Sequence, residues 1–199
     1  DPRVSQSLPG HFAAAINGAA VARGTTFLVE KMGQQVTSKG LYITDDPLRP
    51  RGLRSKGFDA EGVATQKRKL VADGVLKSWI LDLRSARQLG LKTTGNATRG
   101  TSSPPSPSVT NLHIEPGDIS PETLIGSVKQ GFYVTEMMGQ GINIVTGDYS
   151  RGASGFWIEN GEIGEPVSEV TVAGNLQDMF MQMKPANDLN FRYGTNAPT

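Results

Sequence analysis

Gly139-Gln-Gly-Ile-Asn-Ile-Val-Thr-Gly-Asp-Tyr-Ser-Arg-Gly-Ala-Ser-Gly-Phe-Trp-Ile-Glu-Asn-Gly-Glu-Ile163, continuing through Gly164-Glu-Pro-Val-Ser-Glu-Val-Thr-Val-Ala-Gly-Asn175, is the stretch that decides the fold. Phe156, Trp157 and Ile158 run into Asn160-Gly161, the dipeptide that most readily accepts the positive φ angles of a type I′ turn. Val167, Val170 and Val172 then form the return strand of a β-hairpin. Ahead of it, Gly147-Asp-Tyr-Ser-Arg-Gly152 reads as a loop. Asp148 can bond back on its own turn. The alternative is that Asp148, Tyr149, Ser150 and Arg151 face a partner subunit or a peptide, with Arg151 offering its planar fork to a carboxylate or a carbonyl.

Outward from the hairpin, Phe132–Met137 reads as a strand. Ser120-Pro-Glu-Thr starts a helix, with Ser at the N-cap and Pro at the first helical position. Leu124, Ile125 and Val128 make its buried stripe. Downstream, Asn175 caps a last helix whose Leu176, Met179, Phe180 and Met183 follow an i, i+3, i+4, i+7 core stripe. In the first half, His11–Ala22 reads as one alanine-rich helix, and Phe27–Met32 as a short amphipathic one. Leu41-Tyr-Ile43 is a strand, Gln66–Val71 and Val75–Leu81 form a second hairpin at Asp73-Gly74, and Arg84–Leu89 is a helix ended by Gly90. Leu112-His-Ile114 adds another strand. The segment from Thr93 to Ser108, with Ser102-Ser-Pro-Pro-Ser-Pro107, reads as a long loop inside one domain, mobile unless a partner covers it. The fold class is therefore α+β: a twisted, largely antiparallel sheet with peripheral helices, barrel-like closure being a variant of the same arrangement.

At 199 residues the chain suffices for one good core. It has no cysteine, which excludes disulfides and thiolate metal sites and fits a reducing compartment. No stretch reaches the roughly 18 apolar residues of a membrane span, and the amino end lacks a signal-peptide pattern. The net charge of +1 conceals an asymmetry: residues 1–100 hold 16 Lys+Arg against 8 Asp+Glu, and residues 101–199 hold 4 against 11. Such polarity can guide docking. The cations are scattered, however, and Lys67-Arg68-Lys69 lies in a strand whose side chains alternate, so a solvated face is favoured over nucleic acid.

No catalytic constellation is complete. A helical zinc site needs two imidazoles about a turn apart and a nearby carboxylate. The two histidines, His11 and His113, are remote in sequence, and Phe12, Ala13, Ala14 and Ala15 after His11 cannot ligate a metal. His113 reads as a structural strand residue. Gly152-Ala-Ser-Gly-Phe156 fails G-x-S-x-G because Phe156 stands where the second glycine is needed. Gly139-Gln-Gly141 lacks the third glycine and following helix of a dinucleotide loop.

Thr146-Gly-Asp-Tyr-Ser-Arg-Gly-Ala-Ser-Gly-Phe-Trp-Ile-Glu-Asn-Gly-Glu-Ile163 resembles the C-terminal domain of the TldD/PmbA family, on the PmbA (TldE) branch. The resemblance extends over nearly the whole chain, from Asp1-Pro-Arg-Val to Asn196-Ala-Pro-Thr199. It implies a single C-terminal-type domain over residues 1–199, a fragment lacking the N-terminal domain and the last strands. Family members act as cytoplasmic TldD–TldE metallopeptidase pairs. Active TldD-type subunits carry an HExxxH helix near the start of this domain and a cysteine ligand near its end. Here the corresponding helix, about His11 to Ala22, has no His-Glu pair, and Arg192-Tyr193-Gly194 has no cysteine. The resemblance thus implies a non-catalytic subunit with no catalytic or metal-binding residue, the metal (zinc) belonging to a TldD-like partner in a heterodimer that processes unfolded peptides. A homodimer is the arrangement open to the chain in isolation. The other reading is the one in the family's older name, a modulator of DNA gyrase or a nucleic-acid-associated regulator.

Overall fold

The structure, a computed structural model, describes residues 1–192 and 194–199. Three helices, α1 (Pro2–Ser5), α2 (Ser7–Ala15) and α3 (Gly18–Arg23), lead into β1 (Ile43–Asp45), β2 (Arg68–Ala72), β3 (Val75–Leu76) and helix α4 (Leu83–Gln88). β4 (Ala97–Thr98), β5 (Ser106–Pro107) and β6 (Leu112–Ile114) follow, then helix α5 (Pro121–Gly126). The long strands β7 (Gln130–Ile142), β8 (Asp148–Glu159) and β9 (Glu162–Asn175) come next, with helix α6 (Leu176–Gln182) and β10 (Thr195–Asn196) last. The predicted α+β class holds. The sheets are largely antiparallel and open, without closure into a barrel: a five-stranded sheet ordered β10-β6-β1-β2-β3, a β4-β5 pair, and a three-stranded sheet β7-β8-β9.

Both predicted hairpins form for local reasons. Asp73 and Gly74 sit at φ 51° and 77°, Asn160 and Gly161 at 50° and 85°, as a type I′ turn demands. The predicted caps are present too: Ser120 and Asn175 each accept a backbone N–H of the first turn that follows.

The long alanine helix is instead two helices. Asn17 is extended (φ −65°, ψ 123°) and its side chain caps α3 by accepting from Ala19 N. Gly18 N–H donates to Ile80 O at 2.8 Å, and a Cβ on Gly18 would lie 2.7 Å from that oxygen. The break lets the helix layer touch the strand. Phe27–Met32 is a run of turns rather than a helix; Phe27 N–H is taken by Ile144 O, a long-range bond that displaces the local one. Thr93–Ser108 contains its own short β4-β5 ladder.

The core lies between α2 and α3, the five-stranded sheet and α6. Phe12, Ile16, Ile43, Leu76, Leu112, Leu176 and Phe180 are all buried there, with Phe12 edge-on to Phe180 at 5.4 Å. A buried carboxylate ties the strands on one side: Asp45 accepts from Thr110 N, Thr110 Oγ1 and Asn96 Nδ2 at 2.8–2.9 Å. The three-stranded sheet is different. β8 alone contributes buried side chains, while β7 and β9 have none. Its ladders shift register at Ala153/Gly155 and Phe156/Ile158 on the β9 side and at Val134/Glu136 and Met138/Gly141 on the β7 side, and β9 carries Pro166 and a positive-φ Glu169.

Candidate functional site

The segment Asp148–Gly152 is not the predicted loop. It is the first half of β8, paired with Ile142–Met138 on one side and Asn175–Thr171 on the other. The glycines that suggested a loop serve close strand approach: a Cβ on Gly141 would fall 2.1 Å from Ser150 O, and one on Gly155 2.0 Å from Tyr133 O. Strand geometry sends neighbours to opposite faces, so the four residues do not converge. Asp148 and Ser150 are exposed; the Asp148 carboxylate accepts from Thr146 Oγ1 at 2.6 Å, closing its own turn.

Tyr149 is 2% exposed. Its ring meets His11 edge-on with centroids 6.0 Å apart, and its hydroxyl donates weakly to Met137 Sδ at 4.0 Å. Burial raises the phenol above its ordinary pKa, against the opposing pull of the Arg151 charge. Arg151 is half-buried and pairs with neither Asp148 nor Glu159. Its Nε donates to Gly139 O at 3.0 Å and a terminal nitrogen to Met137 O at 3.4 Å, which clamps β7 where its register slips.

His11, which the sequence offered only as an isolated imidazole unable to form a metal site, has a structural place of its own. Its Nε2 is buried with no hydrogen-bond partner among the described residues. Burial lowers the imidazole pKa, and the Arg151 guanidinium lowers it further, so the ring is neutral near pH 7. A lone imidazole in an alanine-rich helix, six residues ahead of the next hydrogen-bonding side chain, Asn17, is the signal available. His113 is buried in β6, with Nδ1 at 3.3 Å from Asn111 O and its ring edge-on to Phe191.

Tyr149 also lines an apolar cleft of about 340 Å³ between α1–α2, α5 and the three-stranded sheet. Leu124, Ile125 and Val128, predicted as a buried stripe, are only half-buried, because they form one wall of this cleft. Met137 and Arg151 lie in an adjoining cleft of about 320 Å³ that is more polar, with Ser7 and Glu136.

Among the described residues no three His, Cys, Asp or Glu side chains gather in a metal-holding group. The late region expected to match a cysteine ligand has Arg192 N–H donating to Asn196 Oδ1, while Tyr193 lies outside the described residues. No helix among those residues is long and apolar enough to cross a membrane.

The sequence profile of the PmbA/TldA metallopeptidase C-terminal domain matches residues 1–199. Metalloprotease PmbA of Escherichia coli O157:H7 is 44% identical over 190 residues, 95% of this chain and 40% of that protein. The Metalloprotease TldD homolog of Haemophilus influenzae is 36% identical over 160 residues, 79% of this chain and 33% of its own length. Among solved structures, TldE from Thermococcus kodakarensis superposes with a TM-score of 0.84 at 28% identity, covering 96% of this chain and 46% of that one. A Bacteroides thetaiotaomicron protein described as a candidate modulator of DNA gyrase does so with 0.87 at 33% identity, over 100% and 43%. The chain thus spans about two-fifths of the length of the curated relatives it matches. It belongs to the PmbA/TldD family, whose C-terminal domain it matches along its whole length.

Proposed function

We propose that this chain works in the non-catalytic, TldE-type subunit of a two-component cytoplasmic metallopeptidase. It pairs there with a metal-bearing TldD-like subunit, and the pair encloses unfolded peptides. The observation that carries this reading is helix α2: its one metal-capable side chain, His11, is turned against Tyr149 and is followed by Phe12 and three alanines. A helix built this way supplies packing where a catalytic helix supplies two ligands. The partner's metal is zinc in this reading, and no step of hydrolysis is assigned to residues of this chain. Asp148, Tyr149, Ser150 and Arg151 face the partner or the peptide. Tyr149 and Arg151 act from the cleft side, and Asp148 and Ser150 from the exposed face. Peptide is held through backbone hydrogen bonds to a sheet edge, which suits sequence-tolerant processing; the β7 edge is the better suited, since Pro166 interrupts β9.

The test is co-expression with a TldD-like protein. Co-purification, with cleavage of an unfolded peptide by the mixture and by neither protein alone after metal loading, is the expected result. Cleavage by this chain alone, or no association, refutes the reading. Salt-dependent DNA binding in place of association would favour the gyrase-related function instead.

A further inference from the structure

One corner of the Tyr149 cleft holds polar groups that the described residues leave short of partners. Tyr149 and Arg151 stand two apart on β8, so their side chains leave the same face of the sheet. They adjoin, because the guanidinium acts on the phenol oxygen by its charge and by hydrogen bonding. Tyr149 is 2% exposed, and the acceptor for its hydroxyl among the described residues is the Met137 thioether, at 4.0 Å. A thioether is a weak acceptor, whereas a buried tyrosine hydroxyl ordinarily finds a full hydrogen-bond partner.

Arg151 is short of an acceptor too. It donates to the Gly139 and Met137 carbonyls, which leaves further N–H groups of the guanidinium fork and its full charge to be met. Among the described residues it is in no ion pair. The side-chain carboxylates that line the two clefts do not supply one. Asp1 is taken by Arg3 at 3.0 Å, and Glu136 is exposed on the polar cleft. His11 Nε2, beside the Tyr149 ring, is buried with no hydrogen-bond partner among the described residues. A half-buried cation and a nearly buried hydroxyl without a good acceptor are costly unless a ligand supplies one.

Apolar space lies next to these groups. Tyr149 is in the wall of the 340 Å³ cleft, whose lining includes Leu8, Leu124, Ile125, Val128, Val172 and Met179. That volume is at the low end of the roughly 300–1,000 Å³ of small-molecule pockets, which suits one large apolar side chain. Val4, Ser7 and Met137 line both this cleft and the polar one that contains Arg151, so one ligand can reach into both. β7, an outer strand of its sheet, supplies Thr135, Glu136 and Met137 to the polar cleft. An extended chain can leave along such an edge.

We propose that this corner holds the C-terminus of a peptide that ends in a large apolar residue. The terminal carboxylate accepts from the Arg151 guanidinium and the Tyr149 hydroxyl, the last side chain fills the apolar cleft, and the preceding residues run out along β7. Charge complementarity selects this occupant. The ligand must bring an anionic acceptor and apolar bulk side by side, and a C-terminal residue carries both on one carbon. Guanidinium and carboxylate pair in a fixed fork, and capture of a terminal carboxylate is a recurring way of recognising peptides. This site deepens the peptide-handling reading proposed above and rests on it.

Fluorescence polarisation tests it, with the 199-residue chain and a fluorescein-labelled glycine–serine hexapeptide ending in leucine. The free acid should bind about tenfold or more tightly than the same peptide amidated at its C-terminus, and about tenfold more tightly than one ending in serine. Tyr149→Phe keeps the ring and should weaken the acid several-fold while leaving the amide unchanged. Arg151→Gln should bring acid and amide to the same weak affinity. His11 reports the place: burial and then the Arg151 charge lower its pKa, so a carboxylate on Arg151 should raise its NMR titration midpoint while that of His113 stays put. No binding at about 1 mM peptide, equal affinity of acid and amide, or equal affinity of leucine and serine ends overturns the proposal. An unmoved His11 midpoint places the peptide elsewhere and equally overturns it. Tighter binding of dodecanoate than of the peptide does so too, by making the corner a fatty-acid site. Cleavage in the presence of a TldD-like protein is a separate readout. Cleavage that persists while these titrations fail removes the terminal grip and leaves the subunit reading standing; titrations that succeed without any cleavage do the reverse.

Discussion

The two main sheets of this molecule are stabilised in different ways. The five-stranded sheet is made of short pieces, two to five residues each, and its strands β1 and β6 are buried at every position. The three-stranded sheet has strands of 12 to 14 residues yet buries side chains only from its middle strand. The first is held by what surrounds it, through apolar burial and the Asp45 hydrogen bonds. The second is held by its ladders and by local clamps such as Arg151. Burial is worth roughly 25 cal/mol per Å² of apolar surface, whereas an intramolecular hydrogen bond is worth about 1 kcal/mol net. Global stability therefore resides in the first sheet, and surface available for contact in the second.

The sharpest way to break this contrast is Phe12→Ala. Phe12 is fully buried against Phe180, and its truncation should cost about 3 to 5 kcal/mol in denaturant unfolding. A loss below about 1 kcal/mol would show that the helix layer is not part of the cooperative core. Next comes Asp45→Ala, which leaves three donors from Thr110 and Asn96 facing an apolar methyl; roughly 2 to 3 kcal/mol is expected from the same measurement.

On the other sheet the effects should be smaller. Arg151→Ala removes two bonds to β7 carbonyls and should cost about 1 kcal/mol, with hydrogen exchange quickening around Met137–Gly141 while the five-stranded sheet stays protected. In partner-dependent peptide cleavage the same variant should fall well below wild type. Unchanged cleavage would leave the residue a brace alone.

The smallest effect is a change of slope. The folded pKa of His11 lies below its unfolded value near 6.5, so the unfolded chain takes up the proton first. Stability present above about pH 6.5 is therefore lost as pH falls through the folded pKa. His113, lowered by its own burial, contributes with the same sign. His11→Phe should make the decline in urea midpoint between about pH 7.5 and 5 shallower without abolishing it. An unaltered slope would mean that His11 does not report on the junction between α2 and β8.

What could be read in advance follows the range of the interactions. Asn160-Gly161, Asp73-Gly74, Ser120-Pro121 and Asn175 act within a few residues, and each marks its turn or cap correctly. Asn17-Gly18 misled because the same side chain serves a helix interior and a cap. Its choice is made by Ile80, more than sixty residues away. Asp148–Gly152 misled because glycine marks both loops and close strand approach, and only the pairing with β7 distinguishes them. At the candidate site the composition was legible but the directions were not: strand alternation turned Tyr149 inward toward His11 and left Asp148 at the surface. The wall of the cleft formed by Leu124, Ile125 and Val128 has a helical core pattern and gave no sign of being half open.

Pro166 and the positive-φ Glu169 in β9 also bear on how this chain survives at high concentration. A three-stranded sheet with long outer strands is an invitation to open-ended stacking of chains. Here one outer strand has a missing amide at Pro166 and a kink at Glu169, so a newly made neighbour cannot zip along it. Stacking through β9 is thereby disfavoured, which leaves β7 as the outer strand along which another chain can add. Replacing Pro166 with a β-branched residue would be the change that removes this safeguard while leaving the fold intact.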